Sequence, residues 1–436
     1  MICSFGLHTP LYCEKLSWLE EDRQRRLVFV EDRAISADPL LLQDPRVRIY
    51  WMESPLQVEK IATQIAWEAV FLPLEILDTS ASPSFPFFEQ ILRDRHAAAA
   101  LQLSDASDFG CSLARNAKKN LSKKTFRSIL DLQNAFQDIP AILVGAGPSL
   151  EKNGHLLASF QSKAILFAGG HALEKIPCRP HFGALIDPKN PLSSMPYPDV
   201  PLCFQARTHP DNFILSRGKT LLAPDGHFSF LNFLSNDRDL FESGWTVGNF
   251  SAALAALFGC NPIVCVGMDY CYQNERKYAF DAVHSTEGLV PAIDGSGQPV
   301  LTQSDWLMAV SWMEDFAKRH PEKTFLNATE GGMQYLPSCK LNDLSFPEIP
   351  HLQENIQSAI SKAKISPPSQ WPMWEESLRN REEIVYQELL LPLWNIWKPI
   401  FAREIDSHPI SFEEKMKLHQ MIFFENVIQE HLNVLD

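Results

Sequence analysis

The chain lacks an excess of basic residues, and its cysteines lack any C-x-x-C pair. Its 436 residues carry 39 Lys and Arg against 53 Asp and Glu, which gives a net charge of −14. Because no basic face is evident that could neutralise phosphates, nucleic acid is not expected as a partner. Several of the nine cysteines, among them Cys203, Cys260 and Cys265, lie in apolar runs, where a free thiol behaves as a small hydrophobe. This usage favours a reducing compartment.

The first residues also lack the basic start and apolar block of a secretory signal, since Glu14 lies within residues 1–19. Residues 247–268 carry no charge and are long enough to span a bilayer. However, residues 259–262 read Gly-Cys-Asn-Pro and interrupt that segment. We therefore predict a buried helix, a turn and a buried strand there, and we expect a cytoplasmic protein without membrane insertion.

An apolar strand that leads into a glycine turn is the most informative motif in the chain. Residues 141–144 read Ala-Ile-Leu-Val, as in a parallel strand buried on both faces. Gly145 and Gly147 allow a tight turn and a close approach of ligand. Pro148 suits the first position of a helix, and Ser149 adds a hydroxyl. Free N–H groups at such a helix start favour an anion, phosphate above all.

Two common nucleotide motifs are absent from this turn. Leu150 replaces the third glycine of a dinucleotide fingerprint, and no acidic residue ends the next strand, which leads into Gly169 and Gly170. NAD and FAD are therefore not expected. No Gly-Lys-Ser/Thr follows either, so the Walker pattern is absent.

From about residue 139 to residue 341, apolar runs alternate with helical patterns, which predicts an α/β core with a doubly wound, Rossmann-like parallel sheet. The predicted strands are 141–144, 163–168, 181–187, 200–205, 219–223, 262–269 and 323–328. We place a small N-terminal α/β region at 1–115, with strands at 27–30 and 47–51 and a helix at 55–71. The nucleotide-binding core then covers 116–341, and a C-terminal helical region covers 342–436.

Ligands of such sheets bind beyond the carboxyl ends of the strands, so the candidate site residues are those that follow the predicted strands. They are Gly145, Gly147, Pro148, Ser149, Gly169, Gly170, His171, Asp187, His227, Asp269, Asn327, Glu330 and Gly331. A second helix start, Thr246-Val247-Gly248-Asn249, suits another anionic or ribose group. Two such sites suit a nucleotide. Each acid could instead cap a helix or form a structural hydrogen bond at a strand end, and each histidine could instead be an ordinary exposed or packed residue.

These motifs together resemble the MptE-like domain, over roughly residues 115–335. The resemblance rests on Val144-Gly-Ala-Gly-Pro-Ser-Leu150, Ile186-Asp187, Thr246-Val-Gly-Asn249, Ile263-Val-Cys-Val-Gly-Met-Asp269 and Leu326-Asn-Ala-Thr-Glu-Gly-Gly332. The family includes archaeal 6-hydroxymethylpterin diphosphokinases and the central domain of bacterial motility accessory factors. The flanking α/β and helical regions favour the motility accessory factors, because the pterin enzymes are compact single domains.

The resemblance implies one of two reactions. A motility accessory factor would move a nonulosonic sugar from a CMP donor to Ser or Thr of a protein, with Asp187, His171 or His227 as the base. A diphosphokinase would use ATP and Mg²⁺, with Asp187 and Asp269 as metal ligands. In either case Gly145, Gly147, Pro148 and Ser149 would hold donor phosphate. Thr246, Gly248 and Asn249 would hold the rest of the nucleotide.

One departure from the family pattern leaves a third alternative open. Ser243-Gly244-Trp245 stands where the resemblance implies a glycine doublet, and the Trp245 ring would lie at the nucleotide site. A non-catalytic nucleotide-binding or scaffold protein is therefore the alternative, favoured if a side chain fills the turn at 145–149. The sequence leaves the oligomeric state open.

Overall fold

The computed structural model describes residues 1–22, 25–33, 36–44, 46–54, 57–70, 72–110, 112–123, 126–226, 228–235, 241–281, 289–365, 369–404 and 412–433. The strands are β1 (Ile2–Phe5), β2 (Leu27–Glu31), β3 (Val47–Trp51), β4 (Glu75–Asp78), β5 (Arg127–Ser128), β6 (Ala141–Val144), β7 (Ile165–Gly169), β8 (Phe182–Leu185), β9 (Leu202–Gln205), β10 (Thr220–Ala223), β11 (Ile263–Val266), β12 (Val290–Ile293), β13 (Pro299–Thr302) and β14 (Phe325–Asn327). The helices are α1 (Thr9–Glu21), α2 (Pro39–Gln43), α3 (Val58–Ala69), α4 (Phe85–Phe109), α5 (Ser112–Lys123), α6 (Leu150–Asn153), α7 (Ala172–Lys175), α8 (Asn212–Leu215), α9 (Ser229–Leu234), α10 (Val247–Leu257), α11 (Ser304–Arg319), α12 (Leu352–Lys362), α13 (Trp371–Asn380), α14 (Glu383–Val385), α15 (Leu391–Glu404) and α16 (Phe412–Asn433).

The chain divides into two compact units, one of residues 1–108 and 390–427 and the other of residues 109–389 and 428–436. In the first unit, four parallel strands follow the order β3-β2-β1-β4. Both faces of this sheet are covered. Helices α3 and α4 pack against one face, and α1 and α2 pack against the other. The buried residues Val58, Ile61 and Ile65 share one face of α3, as their spacing requires.

The second unit contains an eight-stranded parallel sheet in the order β14-β11-β6-β7-β8-β9-β10-β5. Ala141 of β6 lies opposite Ile165 of β7 on one side and Ile263 of β11 on the other. The chain winds outward from β6 to β10, and then returns to the other side of β6 with β11. The winding therefore reverses between β6 and β11, and a crevice at such a point is the usual ligand site of this class of sheet.

The apolar helix α10 lies in the core of this unit. Its residues from Asn249 to Ala256 are buried, and Phe258 at its end packs against Phe136, Phe167 and Phe182 with ring centroids 5.4–6.0 Å apart. The prediction of a buried helix, a turn and a buried strand at 247–268 is confirmed by α10 and β11. Within the described ranges, no helix is both long and apolar enough to cross a membrane.

The predicted doubly wound parallel sheet is confirmed, with an N-terminal α/β region and helices near the C-terminus. Each predicted core strand corresponds to an observed one, and β6 has the predicted bounds. Several short strands were not predicted: β1, β4 and β5, together with the antiparallel pair β12 and β13. The predicted domain boundaries at 115 and 341 stay a prediction.

Candidate functional site

The glycine turn after β6 packs closely against the end of β11. The N–H of Gly145 donates to Val266 O at 2.8 Å, and that of Gly147 donates to Gly267 O at 2.8 Å. A Cβ at Gly147 would collide with the carboxylate of Asp269, so glycine is required there by close approach. The helix that follows, α6, has only four residues, which limits its dipole.

The Asp269 carboxylate occupies this turn. It accepts hydrogen bonds from the N–H of Ser149 at 3.0 Å, from the Ser149 hydroxyl, and from Gln273 Nε2 at 2.7 Å. The residue is 2% exposed, and burial raises the pKa of its carboxyl to about 6, although the bonds from Ser149 oppose the rise. The backbone donors of Gly145, Gly147 and Ser149 are therefore already paired within the chain.

The start of α10 lies above the end of β7. A Cβ at Gly169 would lie 3.1 Å from Val247, and one at Gly170 would lie 3.3 Å from it. Thr246 and Asn249 cap the helix reciprocally: the Asn249 N–H donates to Thr246 Oγ1 at 3.3 Å, and Asn249 Oδ1 accepts from the Thr246 N–H at 3.2 Å. Thr246 and Asn249 thus have a structural role at this helix start.

The first turn of α10 retains unpaired donors. Among the described residues, no acceptor lies within hydrogen-bond geometry of the N–H groups of Val247 and Gly248. The buried Tyr270 hydroxyl is adjacent, since a Cβ at Gly248 would lie 2.9 Å from it. Unpaired donors at the positive end of an 11-residue helix are suited to an anion.

His171 follows Gly170 and borders a cavity of about 670 Å³. Its Nδ1 lies 2.7 Å from Glu174 Oε2, and its ring centroid lies 4.9 Å from that of Tyr278. The other residues around the cavity include Lys175, Ser193, Ser194 and Asp281. Gly170, the residue before His171, lies close to Val247 of α10, although none of the residues that border the cavity belongs to α10.

Asp187 is exposed at the end of β8 and caps a turn. Its Oδ1 accepts from the N–H groups of Lys189 at 2.7 Å and Asn190 at 2.9 Å. Its charge also acts on Lys277 and Tyr278, because it opposes the lowering of the Lys277 pKa and adds to the raising of the Tyr278 pKa.

A cluster around Lys277 was missed by the sequence reasoning. Lys277 Nζ lies 5.4 Å from the ring centroids of both Tyr278 and Trp306, within the range of cation–π attraction. Burial lowers the pKa of Lys277, opposed by the charges of Asp305 and Asp187. Burial raises the pKa of Asp305, opposed by Lys277. Neither Lys277 nor Asp305 directly follows a strand, so only the tertiary structure brings these two residues together.

The candidates Asn327, Glu330 and Gly331 border a different cavity, of about 780 Å³. There the Lys152 ammonium donates to Glu330 O at 3.0 Å, and Glu330 Oε1 accepts from the Leu341 N–H at 3.1 Å. The two cavities have no bordering residue in common. The predicted site residues therefore divide between two places.

The predicted roles of His227 as a base and of Asp187 and Asp269 as metal ligands gain no support from the described residues. His227 lies outside the described residues. The proposed metal ligands Asp187 and Asp269 belong to no cluster of three or more His, Cys, Asp or Glu side chains suited to a metal ion, as far as the described ranges extend.

Comparison with known proteins finds a family model that matches the central segment. Residues 111–275 match the family model described as 6-hydroxymethylpterin diphosphokinase MptE-like. A Maf glycosyltransferase from Magnetospirillum magneticum AMB-1 has a similar structure, with a TM-score of 0.59 and 17% identity over all of this chain and 74% of that one. Among curated proteins there is no match. The resemblance to the MptE-like domain is thereby confirmed for residues 111–275, within a fold like that of the Maf structure.

Proposed function

We propose that this protein is a nucleotide-dependent glycosyltransferase that moves a nonulosonic sugar from a CMP donor to a Ser or Thr hydroxyl of a protein. The observation that carries the proposal is that two features occur at one sheet edge. The N–H groups of Val247 and Gly248 are unpaired among the described residues, and Gly170, which lies close to Val247, is followed directly by His171. The likeness in fold to a Maf glycosyltransferase supports it.

The donor phosphate is assigned to the first turn of α10. In the turn at 145–149, for which we predicted this role, the N–H groups of Gly145, Gly147 and Ser149 are paired with β11, Gly267 and Asp269. Those of Val247 and Gly248 are unpaired among the described residues. Lys277 adds a cation near the same edge, suited to the phosphate or to the carboxylate that nonulosonic sugars carry. Trp306 and Tyr278 offer aromatic faces to a base or sugar ring.

His171 is assigned as the base that accepts the proton of the acceptor hydroxyl. A histidine suits this work because its ordinary pKa lies near neutrality. Asp187 has its carboxylate engaged in a turn, and Asp269 is buried against Ser149 and Gln273.

A non-catalytic nucleotide-binding or scaffold role is the second candidate, and one observation favours it. The turn at 145–149 is filled by the Asp269 side chain, which is the arrangement expected if phosphate is not bound there. The pterin diphosphokinase alternative requires Mg²⁺ with carboxylates free to bind it.

Isothermal titration with CMP, CDP and ATP, each with and without Mg²⁺, tests the three functions. The sharpest variant is Val247→Pro, because proline removes one N–H yet fits the first helical position. Thr246 has the extended φ of −128° and ψ of 165° that a residue before proline prefers. Val247→Ala is the matched control, since it shortens the side chain and keeps the N–H.

Metal-independent CMP binding that weakens about 10-fold or more in Val247→Pro, but little in Val247→Ala, would support the glycosyltransferase. Transfer of the sugar to a Ser- or Thr-containing acceptor would then be measured directly. Mg²⁺-dependent ATP binding would favour the diphosphokinase. If no nucleotide binds, both enzyme proposals fail and the scaffold role stands.

A further inference from the structure

The carboxylate of Glu174 joins His171 to a neighbouring loop. Its Oε2 lies 2.7 Å from His171 Nδ1, while its Oε1 accepts from the Ser193 N–H at 2.6 Å and from the Ser193 hydroxyl at 2.7 Å. The Glu174 side chain is 11% exposed and that of His171 is 33% exposed. Each oxygen of the carboxylate is therefore held by its own partner, so the group cannot rotate freely.

The protonation of this arrangement follows from its hydrogen bonds. Burial alone would raise the pKa of Glu174, but the bonds from His171 and Ser193 outweigh it and hold the pKa below its usual value. Glu174 is thus an anion at neutral pH and can only accept hydrogen bonds. The proton of a neutral His171 must then reside on Nδ1, which leaves the lone pair on Nε2.

His171 Nε2 is left available by its surroundings. Within the ranges that the structure describes, no hydrogen bond is formed to that nitrogen. Tyr278 packs on the ring at 4.9 Å, and both residues border the 670 Å³ cavity. The carboxylate on one nitrogen and the ring contact together restrict the imidazole to one orientation.

We infer that Glu174, locked by Ser193, is a positioning residue that keeps His171 in the Nδ1–H tautomer, so that Nε2 accepts the proton of the acceptor hydroxyl. This inference rests on the proposed glycosyl transfer. As that proton moves to Nε2, a bond forms between the acceptor oxygen and the anomeric carbon of the sugar. The bond from that carbon to the phosphate oxygen of CMP breaks, and CMP leaves with the electron pair.

A second histidine and glutamate provide a matched control. His320 Nδ1 lies 3.3 Å from Glu322 Oε1, and the Glu322 side chain is 61% exposed. Neither residue borders either of the two cavities. Replacement of Glu322 should therefore change the surroundings of a histidine without touching the site.

Nitrogen-15 NMR of histidine-labelled protein tests the tautomer without any substrate. At a pH where imidazole is neutral, we expect the resonance that is lost in His171→Gln to show a protonated Nδ1. Glu174→Ala should shift that resonance toward the Nε2–H tautomer, and Glu322→Gln should leave it unchanged. The inference would be overturned if the His171 resonance shows the Nε2–H tautomer in the native protein. It would also be overturned if Glu174→Ala leaves that resonance unchanged.

Turnover measurements connect the tautomer to the reaction. We expect His171→Gln to lower the turnover number about 10²- to 10⁴-fold, and Glu174→Gln to lower it about 10- to 100-fold. Ser193→Ala should lower it less, because the Ser193 N–H still holds Glu174. The Michaelis constant for the donor should change little in Glu174→Gln. Full turnover in Glu174→Gln would contradict the positioning role, whereas a native protein inactive with every CMP donor would contradict the proposed function and leave the NMR result standing.

Discussion

The Asp269 carboxylate receives both the backbone N–H and the hydroxyl of Ser149, a residue 120 positions earlier in the chain. This contact links the ends of β11 and β6, the two strands between which the winding of the sheet reverses. The crevice at the reversal is thus closed by a buried acid and its donors. The unpaired N–H groups of Val247 and Gly248 lie elsewhere, at the start of α10.

Ser149→Ala should destabilise the protein by about 1–3 kcal/mol at pH 7, because a buried carboxylate loses a hydroxyl donor. Urea unfolding measures the change. Ser159→Ala is the control, since the Ser159 hydroxyl donates to Leu156 O at an exposed position and its loss should cost less than about 0.5 kcal/mol. Equal effects of the two substitutions would show that the contact with Asp269 adds nothing.

The free energy of unfolding should depend on pH through the titration of Asp269. The pKa of this group is raised from 3.8 to about 6, so between those values the folded state binds more protons than the unfolded chain. The free energy of unfolding from this group therefore falls as pH rises from 4 to 6, by on the order of 3 kcal/mol.

Asp269→Asn should remove that component, which urea titrations at pH 4, 5, 6 and 7 would reveal as a difference in slope. Asp315→Asn, at a site where the side chain is 70% exposed, should preserve the native slope. Parallel curves for the native protein and Asp269→Asn would contradict the prediction.

Lys277→Gln should weaken binding of the nucleotide sugar about 10-fold, and the loss should shrink as salt is added, because it removes a cation from a partly buried site. Calorimetry at two salt concentrations gives both results. Lys318→Gln is the control, since Lys318 is 73% exposed on α11 and pairs with the exposed Asp315. An unchanged affinity in Lys277→Gln would remove this residue from the site.

Thr246→Ala should cost about 0.5–2 kcal/mol of stability, because it removes one half of the reciprocal cap of α10. Thr246→Ser keeps the cap and should behave as the native protein in urea unfolding. If Thr246 also contacts nucleotide, Thr246→Ala should in addition weaken nucleotide binding. A stability loss in Thr246→Ser as large as in Thr246→Ala would show that the methyl group, and not the cap, is responsible.

The core strands could be predicted because parallel strands buried on both faces must be continuous apolar runs, as Ala141–Val144 and Ile263–Val266 are. β5 could not, since two residues, Arg127 and Ser128, give no periodic signal. Most candidates lie at the carboxyl edge of the sheet, because they follow parallel strands.

The contacts within the site were beyond sequence reasoning. Nothing local to Ser149 indicates that Asp269 fills its turn, and the position of Lys277 between Tyr278 and Trp306 depends on where α11 begins. The link from Glu174 to Ser193 joins residues 19 positions apart across a loop. Such pairings are set by tertiary packing, which patterns of single residues do not encode.

The parallel direction of all eight strands in the larger sheet has a practical consequence for experiments. Apart from those at the start of α10, the candidate residues lie at or after the carboxyl end of a strand, so the amino ends form the opposite edge. Gln137 and Glu322 are exposed there, shortly before β6 and β14. A surface tether attached at either position would hold the protein by the edge opposite the candidate residues and would leave the carboxyl edge open to ligand.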